Sequence, residues 1–508
     1  MMAVESNLSG LSLAWLLEDL PVDGAVADVE IFGLAADSRS VRPGDLFLAS
    51  KGLQVHGLSH AEQALQQGAI AVVWEPVEDP DIGDIAAALT VPAVAVAGLT
   101  QKTGVIADRF YAHPSHAMHV IGVTGTDGKT SVSHFIAQAL STEQQPCGLL
   151  GTLGYGVYGD LRKPTHTTPD ALRLQAEFAE LREQGVKNVA MEVSSHALHQ
   201  SRTAGVDFNT AVLTHLSRDH LDYHGSIEAY AEAKRRLFDS VDLRCAVVNV
   251  IDDFGRRLAA DLKNRLRVIA WQGQPGGVAR SYPEWIELKS VRALDKGIAL
   301  ELDSSWGSAA FETALLGAFN AENLLAALGA LLASGLSLQT AVERLARVKT
   351  VAGRMELFSR TGAPRVVVDY AHTPHALATA LQALRPHCTG ELICVFGAGG
   401  DRDRGKRPQM GALAERYADR VVLTSDNPRS EDPDSIIDQI MQGFEQPQRA
   451  VRISDRGTAI ASAILEAAPD DLVLVAGKGH EDTQQTGSQL LPFSDRTRVL
   501  EVLREPGE

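Results

Sequence analysis

Apolar residues along the chain alternate between short runs, typical of buried strands, and longer stretches with helical spacing. In the first part of the chain, runs bounded by Gly and Pro predict strands at Asp45–Ala49, Ala69–Trp74 and Ala93–Ala97. A break at Ala112–Ser115 ends this part. We therefore expect a first domain over residues 1–116.

A second part begins with the predicted strand Met118–Val123, which a glycine-rich turn and a helix follow. Helical spacing returns near Ala321–Leu332 and Leu338–Val348, so we expect a second domain over residues 117–352. Further buried strands are predicted at Val189–Val193, Ala211–Leu213 and Ala246–Val250. The apolar positions with helical spacing after the turn are Val132, Phe135, Ile136, Ala139 and Leu140.

Residues 353–508 form the third part, in which a loop rich in Gly, Pro, Asp or His follows each predicted strand. Ligands of open α/β sheets bind outside the carboxyl ends of the strands, so we expect these loops to bind one. Thr373 is predicted to cap a helix that begins at Pro374. Strands that alternate with helices throughout the chain predict the α/β class. The four strands are Val366–Val368, Leu392–Phe396, Val421–Thr424 and Leu472–Ala476.

The composition narrows the possible partners and the compartment. The chain has 508 residues, too many for one hydrophobic core, and a formal net charge of −17. Because a chain this acidic has no general attraction to nucleic acid or anionic lipid, we expect neither nucleic acid nor a membrane as a partner. The four cysteines are widely spaced, which argues against a disulfide framework and favours a reducing compartment. Neither a signal peptide nor a membrane-spanning run is recognisable, and we expect a cytoplasmic protein.

The segment Gly122–Ser131 is a candidate phosphate-binding loop, because it lies between a predicted strand and a predicted helix. Its glycines allow backbone N–H groups to face phosphate oxygens, and the helix N-terminus adds a favourable dipole. Lys129 can reach the outer phosphates, and the Thr130 hydroxyl can bind Mg²⁺. The usual spacing would place a glycine at Val123, so the loop is a variant. The alternative is a glycine-rich turn beside a solvated lysine.

Carboxylates, histidines and one lysine follow the loop. Glu192 ends an apolar run, where a carboxylate beside the phosphate loop suits a hard cation, although position alone favours a surface charge. Histidines and aspartates are dense over His215–Gly225, where we favour Mg²⁺ over zinc because no cysteine is near. Two arginines follow Lys234, so spacing alone favours a solvated helix lysine there.

The loops of the third part carry charges that suit an amino-acid ligand. Asp369 and His372 are expected to face the ligand crevice. Arg429 can hold a carboxylate through two hydrogen bonds, and Glu481 can hold an ammonium group, so together they would match a zwitterion. The loop at 397–408 carries four cations, which indicate either an anionic ligand group or a solvated charged loop. These cations are Arg402, Arg404, Lys406 and Arg407.

Eight motifs, in this order along nearly the whole chain, closely resemble those of the Mur ligases. They are Asp37–Arg39, Gly125–Thr130, His166–Asp170, Met191–His196, Asp219–His224, Asp369–Pro374, Asp426–Arg429 and Gly477–Glu481. The resemblance implies a small N-terminal α/β domain for a UDP-sugar, a central P-loop ATPase domain with a mostly parallel sheet, and a C-terminal Rossmann-like domain for an amino acid.

The resemblance also implies an activity in peptidoglycan precursor synthesis. ATP would phosphorylate the D-glutamate carboxylate of UDP-N-acetylmuramoyl-L-Ala-D-Glu to an acyl phosphate. The amine of meso-diaminopimelate would then attack it and form an amide. Charge neutralisation and alignment would carry most of this catalysis, and closing domains would exclude water. We expect a monomer, with ATP, the UDP-sugar and diaminopimelate as its small-molecule partners.

Matching each motif gives the following expected roles. Catalysis is assigned to Lys129, Lys234 and His220. Mg²⁺ is assigned to Thr130, Glu192, His220 and Lys234, the last carrying a CO₂-derived carbamate that makes its amine a hard-metal ligand. ATP contacts are Gly125, Thr126, Asp127, Gly128, Lys129, Thr130, Ser131, Asn320, Arg354 and Asp369. UDP-muramoyl-dipeptide contacts are Ser38, Thr167, Thr168, Ser194, Gln200 and Arg202. Diaminopimelate contacts are Arg402, Asp426, Asn427, Pro428, Arg429, Gly477 and Glu481.

The loop Asp426–Arg429 bears on which amino acid is added. Diaminopimelate has a carboxylate that lysine lacks, and Arg429 can pair with it, whereas a buried arginine left unpaired costs about 1–3 kcal/mol. Lysine-adding relatives lack this arginine, and its presence here favours diaminopimelate. The alternative is the same reaction with L-lysine as the added amino acid. The N-terminal motif and this loop argue against a folylpolyglutamate or cyanophycin type of ligase. A P-loop switch ATPase or an inactive binding module are the remaining rivals.

Overall fold

The computed structural model describes residues 10–23, 26–52, 55–163 and 167–504. His166, which belongs to one of the motifs above, lies outside the described residues. The chain divides into two compact units, one up to Val268 and the other from Ile269. Among the described residues, every helix is too short or too polar to cross a membrane. All four cysteines are free, as their wide spacing in the sequence predicts.

The N-terminal part of the first unit is a five-stranded sheet in the order β2-β7-β6-β5-β4, beside a separate pair β1-β3. The strands β4, β5, β6 and β7 are parallel, and all five residues of β5 are buried. The strands are β1 Leu11–Ser12, β2 Val22–Asp23, β3 Glu30–Ile31, β4 Gly33–Ala35, β5 Asp45–Ala49, β6 Ala71–Trp74 and β7 Ala93–Val96. The helices are α1 Leu13–Leu16, α2 Ala61–Gln66, α3 Pro80–Ala87 and α4 Leu99–Phe110.

The rest of the first unit is a second sheet, in the order β11-β10-β9-β12-β8-β13-β14. Its strands from β9 to β14 are parallel, and β10 and β11 turn back antiparallel at the edge. The strands are β8 His119–Thr124, β9 Cys147–Gly151, β10 Gly154–Val157, β11 Asp160–Arg162, β12 Asn188–Glu192, β13 Thr210–Leu213 and β14 Cys245–Asn249. The helices are α5 Lys129–Leu140, α6 Ala171–Glu183, α7 Ser195–His199, α8 Leu221–His224, α9 Ile227–Arg235 and α10 Asp253–Leu262.

The second unit opens with a four-strand ladder that sequence patterning did not predict. The strand β15, Arg267–Gln272, in which the division between the units falls, is parallel to β16, and β16, β17 and β18 are antiparallel. Their bounds are β16 Glu284–Leu294, β17 Gly297–Ser304 and β18 Gly307–Thr313. Two helices follow, α11 Phe319–Ala333 and α12 Leu338–Leu345, close to the predicted helical stretches.

The final sheet has the order β19-β20-β24-β21-β22-β23, parallel except for β19. The predicted strands over Leu392–Phe396 and Leu472–Ala476 are confirmed at both ends, and apolar residues cover both sheet faces. The strands are β19 Glu356–Phe358, β20 Arg365–Asp369, β21 Leu392–Phe396, β22 Arg420–Leu423, β23 Ala450–Arg452, β24 Leu472–Ala476, β25 Thr483–Thr486 and β26 Gln489–Pro492. The helices are α13 Pro374–Leu384, α14 Lys406–Tyr417, α15 Pro433–Met441, α16 Arg456–Glu466 and α17 Asp495–Leu503.

The helix α13 begins as its sequence predicts. The Thr373 hydroxyl accepts a hydrogen bond from the backbone N–H of Ala376 at 3.3 Å, and Pro374 is the first helical residue. Proline fits there because its missing N–H would have no partner inside the helix. Leu377, Leu381 and Leu384 are fully buried, so their spacing faces the helix toward the sheet.

Candidate active site

The glycine-rich loop connects β8 to α5 at the carboxyl edge of the parallel sheet. Gly125 and Gly128 have positive φ angles of 149° and 83°, which favour glycine. A β-carbon on Gly125 would lie 1.8 Å from Oγ1 of Thr214, and that hydroxyl donates to the Asp127 carbonyl at 2.6 Å. The Lys129 ammonium donates to the Gly125 carbonyl at 3.0 Å. The loop is therefore shaped by its own backbone and by β13's neighbouring threonine.

Glu192, the last residue of β12, is buried and reaches the phosphate loop. Its Oε2 accepts from the Thr130 hydroxyl at 2.9 Å and from the Thr152 hydroxyl at 3.0 Å. Its Oε1 accepts from the Thr152 N–H at 2.8 Å. A β-carbon on Gly151, the last residue of the neighbouring strand β9, would lie 2.2 Å from Oε1. The Glu192 carboxylate therefore occupies the space that a side chain at position 151 would need. The surface charge that position alone favoured at Glu192 is wrong, because only 1% of the residue is exposed.

Lys234 is buried on α9, contrary to the solvated lysine that its spacing favoured. Only 1% of the residue is exposed. Its ammonium nitrogen donates to the Gly125 carbonyl at 2.6 Å and lies 4.3 Å from the centre of the Tyr230 ring. Burial, with help from the positive charge of Lys129, holds the pKa of Lys234 well below its ordinary value. The sequence could not reveal this burial. Lys234 is followed by two arginines, and three consecutive basic residues are typical of the exposed face of a helix.

Aromatic and imidazole rings surround the exposed side chain of His220. This residue has a positive φ of 51° and lies 4.9 Å from His196, measured between ring centres. The Tyr223 ring packs 4.2 Å from His196. The Tyr230 hydroxyl contacts Oγ1 of Thr126 at 3.3 Å, which connects this cluster to the phosphate loop. The segment predicted from its dense histidines therefore lies beside that loop.

Most of the expected sugar-dipeptide residues also gather around Glu192. The Thr168 hydroxyl donates to the Glu192 carbonyl at 3.0 Å and accepts from the Ser194 N–H at 3.3 Å. The Arg202 guanidinium donates to the Thr168 carbonyl at 3.0 Å and to Oε1 of Gln200 at 2.6 Å. These contacts fix the direction of the Arg202 side chain, which is partly buried.

Two more expected sugar-dipeptide residues lie in different surroundings. Thr167 contacts the Thr152 hydroxyl at 3.1 Å, so it adjoins the same cluster. Ser38 lies in the N-terminal part of the first unit, where its buried hydroxyl donates to Oε1 of Gln63 at 2.7 Å. Ser131 and Asp127 stand at the two sides of Lys129 in the loop, and the Asp127 carboxylate lies 3.4 Å from Nε2 of His215.

The second unit holds the other expected nucleotide contacts. The Asp369 carboxylate accepts the N–H of Met355 at 2.8 Å, and burial raises its pKa while Arg354 opposes the rise. The Arg354 guanidinium lies 4.5 Å above the Tyr370 ring, which also packs 5.1 Å from His480. Burial, and then Arg354, lower the pKa of His480 to about 4, so this imidazole is neutral at neutral pH.

Asn320 is buried in the first turn of α11. Its amide nitrogen donates to the Leu316 carbonyl at 2.8 Å, and its oxygen accepts from Asn323 at 2.9 Å. These hydrogen bonds stay within the helix start. His372, expected at a ligand crevice, is exposed, and its Nδ1 lies 2.8 Å from the Tyr370 carbonyl.

The loops after β22 and β24 meet at the carboxyl edge of the final sheet. The Asn427 amide donates to Glu481 at 2.9 Å. The Lys478 ammonium, fully buried, donates to Glu481 at 2.9 Å and to Oδ1 of Asn427 at 3.0 Å. The Arg429 guanidinium donates to the Gly400 carbonyl at 2.7 Å. Both charges predicted to match a zwitterion therefore lie on loops that touch one another.

Glycines allow these loops to approach closely. A β-carbon on Gly477, which has a φ of 120°, would lie 2.6 Å from the Asp426 carboxylate. A β-carbon on Gly400 would lie 1.8 Å from the Pro428 carbonyl. The Gly400 N–H donates to the Asn427 carbonyl at 2.9 Å, so backbone contacts join the loops after β21 and β22.

The four cations at 397–408 divide between different roles. Arg407 is fully buried and donates to both oxygens of Glu431, at 2.8 and 2.9 Å. Arg404 also pairs with Glu431, at 3.1 Å, and Lys406 donates to the His372 carbonyl at 2.9 Å. Neither the anion site nor the solvated loop describes the whole set, because a structural ion pair accounts for much of it. Arg402 is exposed.

Four residues to which the sequence assigned no role also make hydrogen bonds or ion pairs near these sites. Thr152 binds Glu192 through its backbone and its hydroxyl. The buried Arg456 donates to Asp495, and sequence spacing gives no signal for a pair that lies 39 residues apart. Lys478 stood inside a recognised motif, but nothing in its spacing distinguishes a buried lysine from a solvated one.

Comparison with protein families matches three parts of the chain in order. Residues 30–111 match the Mur ligase family, catalytic domain; residues 123–331 match the Mur ligase middle domain; and residues 353–479 match the Mur ligase, glutamate ligase domain. The chain belongs to the Mur ligase family. The resemblance inferred from its motifs is confirmed.

Individual relatives match over almost their full lengths. A UDP-N-acetylmuramoyl-L-alanyl-D-glutamate–2,6-diaminopimelate ligase of Alkalilimnicola ehrlichii is 51% identical over 94% of this chain and 96% of that protein. The ligase of the same name from Coxiella burnetii is 47% identical over 98% of this chain and 100% of that protein. A solved structure of a ligase with this name is 36% identical, covers 97% of this chain and 99% of its own, and has a TM-score of 0.73.

Proposed function

We propose that the protein is an ATP-dependent ligase that adds meso-2,6-diaminopimelate to UDP-N-acetylmuramoyl-L-alanyl-D-glutamate in peptidoglycan precursor synthesis. The observation that carries this proposal is the contact between loops bearing Arg429 and Glu481, beside Asn427 and Lys478, in a chain of this family. A guanidinium and a carboxylate at one sheet edge suit an amino acid with an additional carboxylate. The relatives named for this reaction support the same substrate.

The chemistry requires an activated carboxylate, because a free carboxylate does not acylate an amine at neutral pH. ATP would transfer its γ-phosphate to the D-glutamate carboxylate, and the diaminopimelate amine would displace phosphate from the acyl phosphate. Lys129 and the backbone N–H groups at the start of α5 would bind the phosphates. Arg202, held by Thr168 and Gln200, would orient the dipeptide carboxylate.

Mg²⁺ fits the residues near the phosphate loop. The Thr130 hydroxyl and the Glu192 carboxylate are hard oxygen donors already in contact at 2.9 Å. When bound, Mg²⁺ would neutralise phosphate charge. His220 lies on the neighbouring segment and is assigned as a further ligand. These residues, with Thr126, Gly128 and Ser131, form our proposed nucleotide site in the first unit.

Lys234 fits the carbamate that the resemblance implies. An amine must be neutral to combine with CO₂, and burial lowers the pKa of Lys234. The product would be a carboxylate on a side chain that points at the phosphate loop. Asn320, Arg354 and Asp369 are proposed as the remaining ATP contacts. The proposed amino-acid contacts are Arg402, Asp426, Asn427, Pro428, Arg429, Gly477 and Glu481.

We also propose domain boundaries at 116/117 and 352/353. The family matches at 30–111, 123–331 and 353–479 support them, since each falls inside one proposed domain. We also propose a cytoplasmic monomer without nucleic-acid or membrane partners, and the net charge of −17 supports the absence of polyanionic partners.

The test is phosphate release from Mg-ATP with the UDP-muramoyl dipeptide and meso-diaminopimelate, L-lysine or no amino acid. Phosphate release together with tripeptide formation, only with diaminopimelate, is the expected result. A preference for L-lysine would keep the ligase reaction and contradict the role of Arg429. Phosphate release that ignores both substrates would contradict the ligase and favour a switch ATPase.

A further inference from the structure

The loops after β22 and β24 contact each other near Arg429, whose N–H donates to the Gln485 carbonyl at 3.1 Å, but the sheet order separates their bases. The loops after β22 and β24 carry Asp426 and Gly477, but β21 lies between these strands. Neighbouring strands lie about 4.8 Å apart, so β22 and β24 are separated by about 9–10 Å. No ladder hydrogen bond can span that distance. At the strand ends, where the loops begin, only a side chain that reaches across β21 can join the two.

Arg456, the first residue of α16, spans this gap beneath the loops. Its Nη1 donates to the Ser425 carbonyl at 3.1 Å, and its Nη2 donates to the Ala476 carbonyl at 2.9 Å. These carbonyls belong to the residues just before Asp426 and Gly477. One guanidinium thus binds the base of both loops.

Asp495 fixes the direction of this guanidinium. Its two oxygens accept from Nε and Nη2 of Arg456, both at 2.7 Å, and neither side chain is exposed. Asp495 is the first residue of α17, beyond residue 479, where the family match ends. Four N–H groups of the arginine therefore point at three fixed acceptor groups, and no other side-chain type offers this planar fork.

We propose that Arg456 is a positioning residue for the amino-acid substrate, and that Asp495 holds it in place from the last helix. Arg456 does not touch the substrate. It sets the spacing between the loop of Asp426 to Arg429 and the loop of Gly477 to Glu481. The inference rests on the proposed function and deepens it, because it names what aligns the two halves of the amino-acid site.

The test compares Arg456→Lys and Asp495→Asn with the wild-type protein in the full ligase assay. Lysine keeps the charge but loses the fork, and asparagine keeps one acceptor oxygen. Each variant is expected to raise the KM for meso-diaminopimelate about 10- to 100-fold, because displaced loops no longer bind the charged groups of the amino acid at the same time. The KM for the UDP-muramoyl dipeptide should stay within about twofold, since its proposed contacts belong to the first unit. The KM for ATP should rise less than that for diaminopimelate, because only Asp369 among the proposed ATP contacts accepts a hydrogen bond from Gly477, at 3.1 Å.

Arg365→Lys is the matched control. Arg365 is also a nearly buried arginine paired with an aspartate, at 2.6 Å from Asp295, but it begins β20 at the opposite edge of the sheet. This variant should leave the KM for diaminopimelate unchanged. Thermal unfolding of all variants separates lost protein from altered kinetics.

The outcomes decide between alternatives. Two results would overturn the positioning role. One is a KM for diaminopimelate that stays within about twofold of wild type in both variants, and the other is an equal rise in the KM values for all three substrates. If Arg456→Lys does not fold, Asp495→Asn decides, and failure of both to fold also rejects the proposal in favour of a purely structural pair. A wild-type protein that does not use diaminopimelate would instead reject the proposed function.

Discussion

The ammonium nitrogen of Lys234 lies 2.6 Å from the carbonyl oxygen of Gly125, so a buried lysine contacts a glycine of the phosphate loop. The contact crosses 109 residues of sequence. It brings an amine with a lowered pKa to the place where the resemblance implies a carbamate. The relationship makes the modification testable on this chain.

Lys234→Met is expected to lower kcat about 100-fold while the protein remains folded, because methionine keeps the buried volume but cannot carry a carboxylate. The exposed Lys263→Met serves as the control and should retain wild-type activity. Nuclear magnetic resonance with ¹³C-bicarbonate should detect a carbamate in wild type and in the control, but not in Lys234→Met. Full activity of Lys234→Met would contradict the assignment.

Glu192→Gln is expected to raise the Mg²⁺ concentration for half-maximal activity about 10- to 100-fold, because an amide oxygen is a weaker ligand than a carboxylate. Titration of ligase activity with MgCl₂ measures this. Glu177→Gln is the matched control, since Glu177 is equally buried at 1% but pairs with Arg162 at 2.6 Å. If both variants shift the Mg²⁺ dependence equally, Glu192 has no special role as a ligand.

Arg429→Met is expected to raise the KM for meso-diaminopimelate about 5- to 150-fold, which corresponds to losing a hydrogen-bonded charge pair of about 1–3 kcal/mol. The KM for ATP should not change. Arg452→Met, on the neighbouring strand and paired with Asp438 at 2.8 Å, is the control. An unchanged diaminopimelate KM in Arg429→Met would remove the main support for this substrate over L-lysine.

The ion pair of Glu431 with buried Arg407 predicts a pH dependence of stability. Hydrogen bonds from Arg407 lower the pKa of Glu431 from its ordinary 4.5 to about 2. A carboxylate with a lowered pKa contributes stability that is present above its unfolded pKa and lost as the pH falls toward the folded one. Glu431→Gln should therefore have a lower Tm than wild type near neutral pH, and the difference should shrink between about pH 5 and pH 2.

Differential scanning calorimetry across this pH range measures that difference. The exposed Glu391→Gln is the control and should track wild type at every pH. A Tm difference for Glu431→Gln that stays constant down to the lowest pH would show that the carboxylate charge does not contribute.

Strands and helices with strong patterns were predictable, while paired polar residues were not. Leu392–Phe396 and Leu472–Ala476 are continuous apolar runs with turn residues on both sides, so their bounds follow from the sequence. The ladder β16 to β18 was missed because its residues are mixed in polarity and only partly buried. Tertiary pairing, rather than local pattern, defines those strands.

For the site, the motifs located the loops but not the burial of their charges. Glu192 and Lys234 look like surface residues by position, and only the packing of β12 and α9 around the phosphate loop buries them. In the sequence Arg407 is one of four similar cations in a loop. Its ion-pair partner Glu431 lies 24 residues further along the chain, so the sequence does not show that Arg407 differs from the other three. Such pairings depend on three-dimensional proximity that spacing does not encode.

Gly151 carries a consequence for how the protein tolerates mutation. Its backbone lies within strand β9, outside the positive-φ glycines, so any residue could adopt its conformation, and only the space occupied by Glu192 excludes a side chain. Saturation mutagenesis should thus accept glycine alone at a position that carries no functional group. Gly151→Ala adds a single methyl group and no charge, and it displaces a carboxylate on the adjacent strand. Intolerance of substitution at Gly151 would therefore reflect the volume that the Glu192 side chain occupies, and not a chemical role of Gly151 itself.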